Sequence, residues 1–108
     1  MDLFAYGTLM DEAVVFELTG RRFRRQTARL VGYRRLSPQG GYPYIVPDRD
    51  GVVDGLVLRE IDADVLRAFD TYEEEGRLYR RTEVMVSVAG RPTSAWTYVG
   101  VPDTPENL

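Results

Sequence analysis

The chain has 108 residues, 44% hydrophobic and 29% charged, with a formal net charge of −3, which is enough apolar material for one core and one domain. It contains no cysteine and no histidine, and all 14 of its basic residues are arginine. These absences exclude disulfides, thiolate nucleophiles, histidine-based triads, the commonest metal ligands, Schiff-base lysines and a Walker-type phosphate loop.

Leu3–Tyr6 is apolar on both faces and stops at Gly7, the pattern of a short, fully buried strand ending in a turn. In "DEAVVFELTG", Val14, Val15 and Leu18 recur at helical spacing and Gly20 supplies a stop. A glycine between a buried strand and a helix exposes successive backbone N–H groups, and such a nest accepts carboxylate or phosphate without a charged side chain. Glycine suits the place because it has no Cβ to block the approach or to forbid positive φ. A plain turn is the competing explanation.

The run "GRRFRRQTAR" up to Arg29 concentrates arginines. Against a net negative chain it reads as a solvated hairpin strand and not as a nucleic-acid patch. Ala28–Leu36 is strand-like, Ser37–Pro43 a glycine-rich loop, and "YIVP" a short strand closed by "DRDG" as a turn. Val52–Ile61 is strongly strand-like, with Gly55 marking a bulge or a close backbone approach. Val84, Val86 and Val88 alternate on one face of a half-buried strand, and "AGRP" turns into a last strand, "RPTSAWTYVG". Residues 1–102 are expected to form the single domain and 103–108 a flexible tail. No apolar run reaches about 18 residues, and the N-terminus lacks a basic n-region, so a cytoplasmic protein without a membrane span is expected. The strands do not alternate with helices. The expected fold is therefore α+β: one mixed, mostly antiparallel sheet curled into a small barrel with short helices outside.

The second helix begins near Asp62, an N-cap candidate, with Asp64 in its first turn. Val65, Leu66, Phe69 and Tyr72 form its apolar stripe. At about 100° per residue, Glu73 falls inside that stripe near 80°, Glu74 near 180° and Glu75 near 280°. Only Glu73 of the three consecutive glutamates thus faces the core, and Gly76 is expected to end the helix. A carboxylate removed from water has a raised pKa, which suits a group that takes and returns a proton. A salt bridge from Glu73 to Arg77, Arg80 or Arg81 is the bland alternative.

At these stretches the chain resembles the γ-glutamylcyclotransferase-like superfamily, in particular its AIG2-like members. Phe4-Ala5-Tyr6-Gly7-Thr8-Leu9 matches the N-terminal YGTL pattern. Val53-Asp54-Gly55-Leu56-Val57-Leu58 matches a second motif, with Val57 where many members carry an aromatic. Phe69-Asp70-Thr71-Tyr72-Glu73 followed by Tyr79 and Arg81 matches a third, Trp96-Thr97-Tyr98 loosely a fourth, and "GGYPYIVP" is similar to a YP segment of the family. The resemblance implies a barrel with its cavity at one end. It implies that Tyr6, Gly7, Thr8 and Leu9 grip a substrate carboxylate through backbone amides, that Glu73 is the catalytic acid/base, and that Tyr79 and Tyr98 contact substrate with Arg81 in support. The implied reaction closes a γ-glutamyl group to 5-oxoproline and frees an amine, with no metal and no cofactor. Its substrate is a small γ-glutamyl molecule, with neither nucleic acid nor membrane as partner. The YGTL amides and the hydroxyls of Tyr6 and Tyr98 are the candidate donors to the developing oxyanion. Tyr42, Tyr44 and Trp96 are expected to fill the barrel, and the loop "SPQGGYP" is the segment left to shape the amine side. A non-catalytic barrel that binds a small ligand or a protein is the alternative, because fold and site do not by themselves establish turnover.

Overall fold

The computed structural model describes residues 1–101; the tail expected at 103–108 lies outside the described residues. Five strands close into a barrel in the order β1-β3-β2-β4-β5, with β1 Leu3–Ala5, β2 Arg25–Leu36, β3 Tyr44–Leu58, β4 Tyr79–Val88 and β5 Arg91–Gly100. Neighbours are antiparallel except β1 and β5, which meet in parallel at Leu3 and Trp96 and close the barrel. Two helices, α1 Glu12–Thr19 and α2 Ala63–Glu73, pack outside it. None of the described helices is long and apolar enough to cross a membrane.

Side-chain alternation along β1 splits the core into two layers. Phe4 and Tyr6 pack with Ala28, Leu30, Ile45, Val53, Val57 and the three alternating valines of β4 inside the barrel. Leu3 and Ala5 face the other way, onto Leu9, Val15, Val65, Leu66 and Phe69 beneath the helices. A strand buried on both faces explains why "LFAY" shows no polar alternation. Gly55 is a close approach: a Cβ there would lie 2.3 Å from the Ala5 carbonyl oxygen and 2.9 Å from the Phe4 ring.

Three expectations are corrected. "DRDG" does not end the strand: β3 continues on both sides of it, but Asp48–Gly51 themselves are the unpaired excursion at the register shift, where Val31 faces Val52 and Tyr33 faces Pro47 and the Asp48 carboxylate accepts from the Asp50 amide. Gly51 allows this, because a Cβ there would meet the Tyr33 carbonyl oxygen at 2.3 Å. Second, a separate 3₁₀ turn, Thr8–Met10, intervenes between Gly7 and α1, and the carboxylate of Asp11 caps α1 by accepting from the Ala13 amide. Third, α2 ends at Glu73 and not at Gly76: Glu74 takes the left-handed cap (φ 55°), and Gly76 (φ 89°) completes the reversal into β4. The start of α2 matches its signal, since Asp62 accepts from the Val65 amide at 2.9 Å.

The arginine cluster has local uses. Arg21 pairs with Asp62 at 2.7 Å and lies over Phe23, Arg22 lies over Phe16, and Arg29 pairs with Asp54. Arg25 donates to the Met10 carbonyl oxygen, tying the 3₁₀ turn to β2.

Candidate active site

The end of β1, the 3₁₀ turn, the C-terminus of α2 and the start of β4 converge on one cavity of about 160 Å³. Its walls include Tyr6, Gly7, Thr8, Leu9, Glu73, Tyr79 and Tyr98, so seven residues singled out from four separate stretches of sequence lie together. Arg81 is not on the wall. It pairs with Asp70 at 3.1 Å behind it, with its guanidinium over the Trp96 ring.

Glu73 is the last residue of α2 and is half-buried. Burial raises its carboxyl from the ordinary 4.5 to about 7. None of the expected arginines neutralises it: Arg77 pairs with Glu74 at 2.5 Å and Arg81 with Asp70. Among the described residues no donor binds the Glu73 carboxylate either, so desolvation acts unopposed. The next two glutamates are exposed. Glu74 is held by Arg77, and Glu75 accepts from the Arg81 amide.

The YGTL turn lines the same cavity as Glu73. Gly7 has φ −133°, so positive φ is not what its place demands. The room it leaves is narrow, since a Cβ would meet the Pro43 ring at 3.3 Å. The turn spends its carbonyls internally, on Met10 N–H→Gly7 and Asp11 N–H→Thr8. The Thr8 and Leu9 amides head a helical turn, where N–H groups have no intrahelical acceptor, and among the described residues none accepts from them.

The tyrosine hydroxyls are arranged differently from the expected donor role. Tyr6 donates to the Tyr98 carbonyl oxygen. Tyr79 donates to the Pro43 carbonyl oxygen at 2.9 Å, and Tyr98 to Asp70 Oδ1 at 2.6 Å. Burial raises all three above the ordinary tyrosine value, Tyr79 to about 12, and the nearby Glu73 charge adds to each. They therefore stay protonated, with their protons already committed to these acceptors.

Some wall residues lie outside the sequence expectation. Tyr42 does not fill the barrel: it is 71% exposed and lines the cavity mouth with Pro43, Tyr72 and Leu78. Tyr72 was expected in the buried stripe, but it is 39% exposed because α2 ends one residue later and its last turn overhangs the cavity. Tyr44 and Trp96 are half-buried against the helix-side core, as packing residues. Asp70, off the wall, was part of the matched motif but was given no role, although its spacing three before Glu73 puts both carboxylates on one helix face.

A sequence model of the family described as "Gamma-glutamyl cyclotransferase, AIG2-like" matches residues 3–107. The chain belongs to this family. It is 36% identical over 99 residues to AIG2-like protein C of Arabidopsis thaliana, covering 91% of this chain and 58% of that protein. A protein of Methanocaldococcus jannaschii named as a γ-glutamylcyclotransferase and putative RNase is 30% identical over 100 residues, covering 91% of this chain and 45% of it. The chain thus spans about half the length of the curated relatives it matches. Among solved structures, an Arabidopsis thaliana protein superposes with a TM-score of 0.83 at 30% identity, over 94% of this chain and 68% of that one. A structure named γ-glutamyl cyclotransferase gives 0.80 at 20% identity, over 94% of this chain and 66% of that one, which bears on the fold alone. The AIG2-like barrel flanked by helices is therefore the architecture of this family.

Proposed function

We propose that this chain is a γ-glutamyl cyclotransferase that converts a γ-glutamyl amine or peptide to 5-oxoproline and a free amine, with Glu73 as general acid/base. The observation that carries the reading is a carboxylate with no ion pair among the described residues, raised to about 7, in one cavity with backbone amides that have no acceptor there. A group poised near neutrality can take a proton and return it in one turnover.

In this mechanism the Thr8 and Leu9 amides hold an anionic oxygen of the substrate, and Glu73 takes a proton from its α-ammonium. The freed amine attacks the γ-carbonyl within the same molecule. The five-membered ring closes without a bimolecular encounter, an advantage that ordinarily lowers such barriers by several kcal/mol. Glu73 then delivers its proton to the departing nitrogen. The leaving group exits past Tyr42, Tyr72 and Leu78, which are exposed at the mouth. The protein therefore meets the leaving amine mainly through apolar and aromatic surface.

A screen of γ-glutamyl amines, γ-glutamyl dipeptides and lysine-linked isopeptides, read by 5-oxoproline release, tests the reading. Turnover of at least one class is expected. If none turns over, while 5-oxoproline or a γ-glutamyl compound still raises the melting temperature, the chain is a binding barrel and not an enzyme.

A further inference from the structure

Tyr6, Tyr79 and Tyr98 line the same cavity as Glu73, and its charge adds to the burial that disfavours their ionisation. A hydroxyl beside a carboxylate ordinarily donates to it, in a strong charge-assisted bond. None of the three does. Their protons go to the Tyr98 carbonyl, the Pro43 carbonyl and Asp70. Each hydroxyl has one proton and two lone pairs, so these groups offer the cavity lone pairs and one carboxylate. The same cavity is lined by Thr8 and Leu9, whose N–H groups have no acceptor among the described residues. Such a lining offers acceptors for an amino acid's ammonium and donors for its carboxylate.

Two of the three acceptors are backbone carbonyls, which no substitution removes. The third is a side chain that is itself held from behind: Asp70 Oδ2 accepts from Arg81 Nη1 at 3.1 Å while Oδ1 faces Tyr98 at 2.6 Å. We propose that Asp70 is a positioning residue, which takes the Tyr98 hydroxyl proton and so turns the Tyr98 oxygen into an acceptor for the substrate's α-ammonium. The proposal rests on the cyclotransferase reading for the identity of the substrate, and it assigns a job to a carboxylate that never touches it.

Asp70→Asn makes a sharp test. Only the amide oxygen can face Arg81, so the amide NH₂ must face Tyr98. The Tyr98 oxygen then accepts, and its proton turns towards the cavity. The shape of the site is kept and the polarity of one wall group is reversed. L-Glutamate and glutarate differ only by the α-ammonium, and their binding can be measured by calorimetry. The wild type should prefer L-glutamate. In Asp70→Asn and in Tyr98→Phe that preference should fall about tenfold, the scale of one hydrogen bond to a charged group, while glutarate binds as before. In the double variant the preference should match Tyr98→Phe alone, because the two residues act through one oxygen. Equal weakening of both ligands by Asp70→Asn, a further loss of preference in the double variant, or no preference in the wild type overturns the proposal. Where Asp70→Asn fails to fold, an unchanged preference in Tyr98→Phe overturns it as well. Release of 5-oxoproline by the wild type is scored separately. A chain that keeps the preference and releases nothing defeats only the cyclotransferase reading, and one that turns over with the preference unmoved by either variant defeats only this one.

Discussion

At the scale of single residues, the site is a set of proton assignments. Glu73 has the raised carboxyl, at about 7. As the base it must be ionised, so kcat/KM should fall as pH drops through about 7, and a pH–rate profile on any accepted γ-glutamyl substrate checks this. The same shift has a consequence for stability, and its sign is fixed. The folded chain holds the Glu73 proton more tightly than the unfolded chain, where the carboxyl titrates near 4.5. Stability therefore falls as pH rises from about 4.5 through about 7, and above that range the full cost of burying the charge is present. Glu73→Gln removes a charge that the fold disfavours. Its melting temperature should exceed the wild type's at pH 8 and come close to it at pH 4, which scanning calorimetry at the two pH values reads directly. A variant that loses stability at pH 8 would mean that Glu73 holds a structural partner.

Elements bring these residues together, and each is fixed by something local. The start of α2 rests on Asp62, which accepts from the Val65 amide and pairs with Arg21. Asp62→Ala should cost about 1 kcal/mol in urea unfolding, the ordinary value of an N-cap. The salt bridge adds little, because both side chains are about half exposed. The end of β1, which feeds the YGTL turn, rests on the absence of a side chain at Gly55. Gly55→Ala places a methyl 2.3 Å from the Ala5 carbonyl and should cost about 1–3 kcal/mol by overpacking. Much of this was legible in sequence, because caps, buried strands and helical periodicity are local signals. The run of valines in β4 and the stripe of α2 named their own faces. The signals that misled were local too. "DRDG" has turn composition and does leave the β2–β3 pairing, yet the strand resumes beyond it, so it marks a register shift within β3 and not the strand's end. Gly76 looked like the helix stop, but Glu74 accepts the left-handed cap two residues earlier, tied by Arg77.

For the whole molecule, closure of the barrel decides which readings of the sequence could be complete. The sheet closes through the parallel meeting of β1 with β5, and β5 carries Tyr98 up to Asp70 and Tyr6. No periodicity in the sequence links residues 92 positions apart, so the tyrosine hydroxyls looked like free donors when their protons were already engaged. Tyr42 is a similar case. Its loop is long-range to the site, and composition made it an aromatic for the core, whereas the β2–β3 connection delivers it to the cavity mouth. Glu73 and the YGTL turn were legible for the opposite reason. Each sits at the end of a short element whose buried face is written in consecutive residues. The chain belongs to a family built on this barrel, and the claim that matters most is that one glutamate of three does the chemistry. Release of 5-oxoproline by the wild type, Glu73→Gln and Glu75→Gln on one accepted substrate tests it most directly. Glu75 is exposed and off the cavity wall, so its variant should keep wild-type rates, while Glu73→Gln should lose at least about 100-fold, the lower range for a general acid/base. Wild-type turnover in Glu73→Gln, or an equal loss in both variants, would contradict the account.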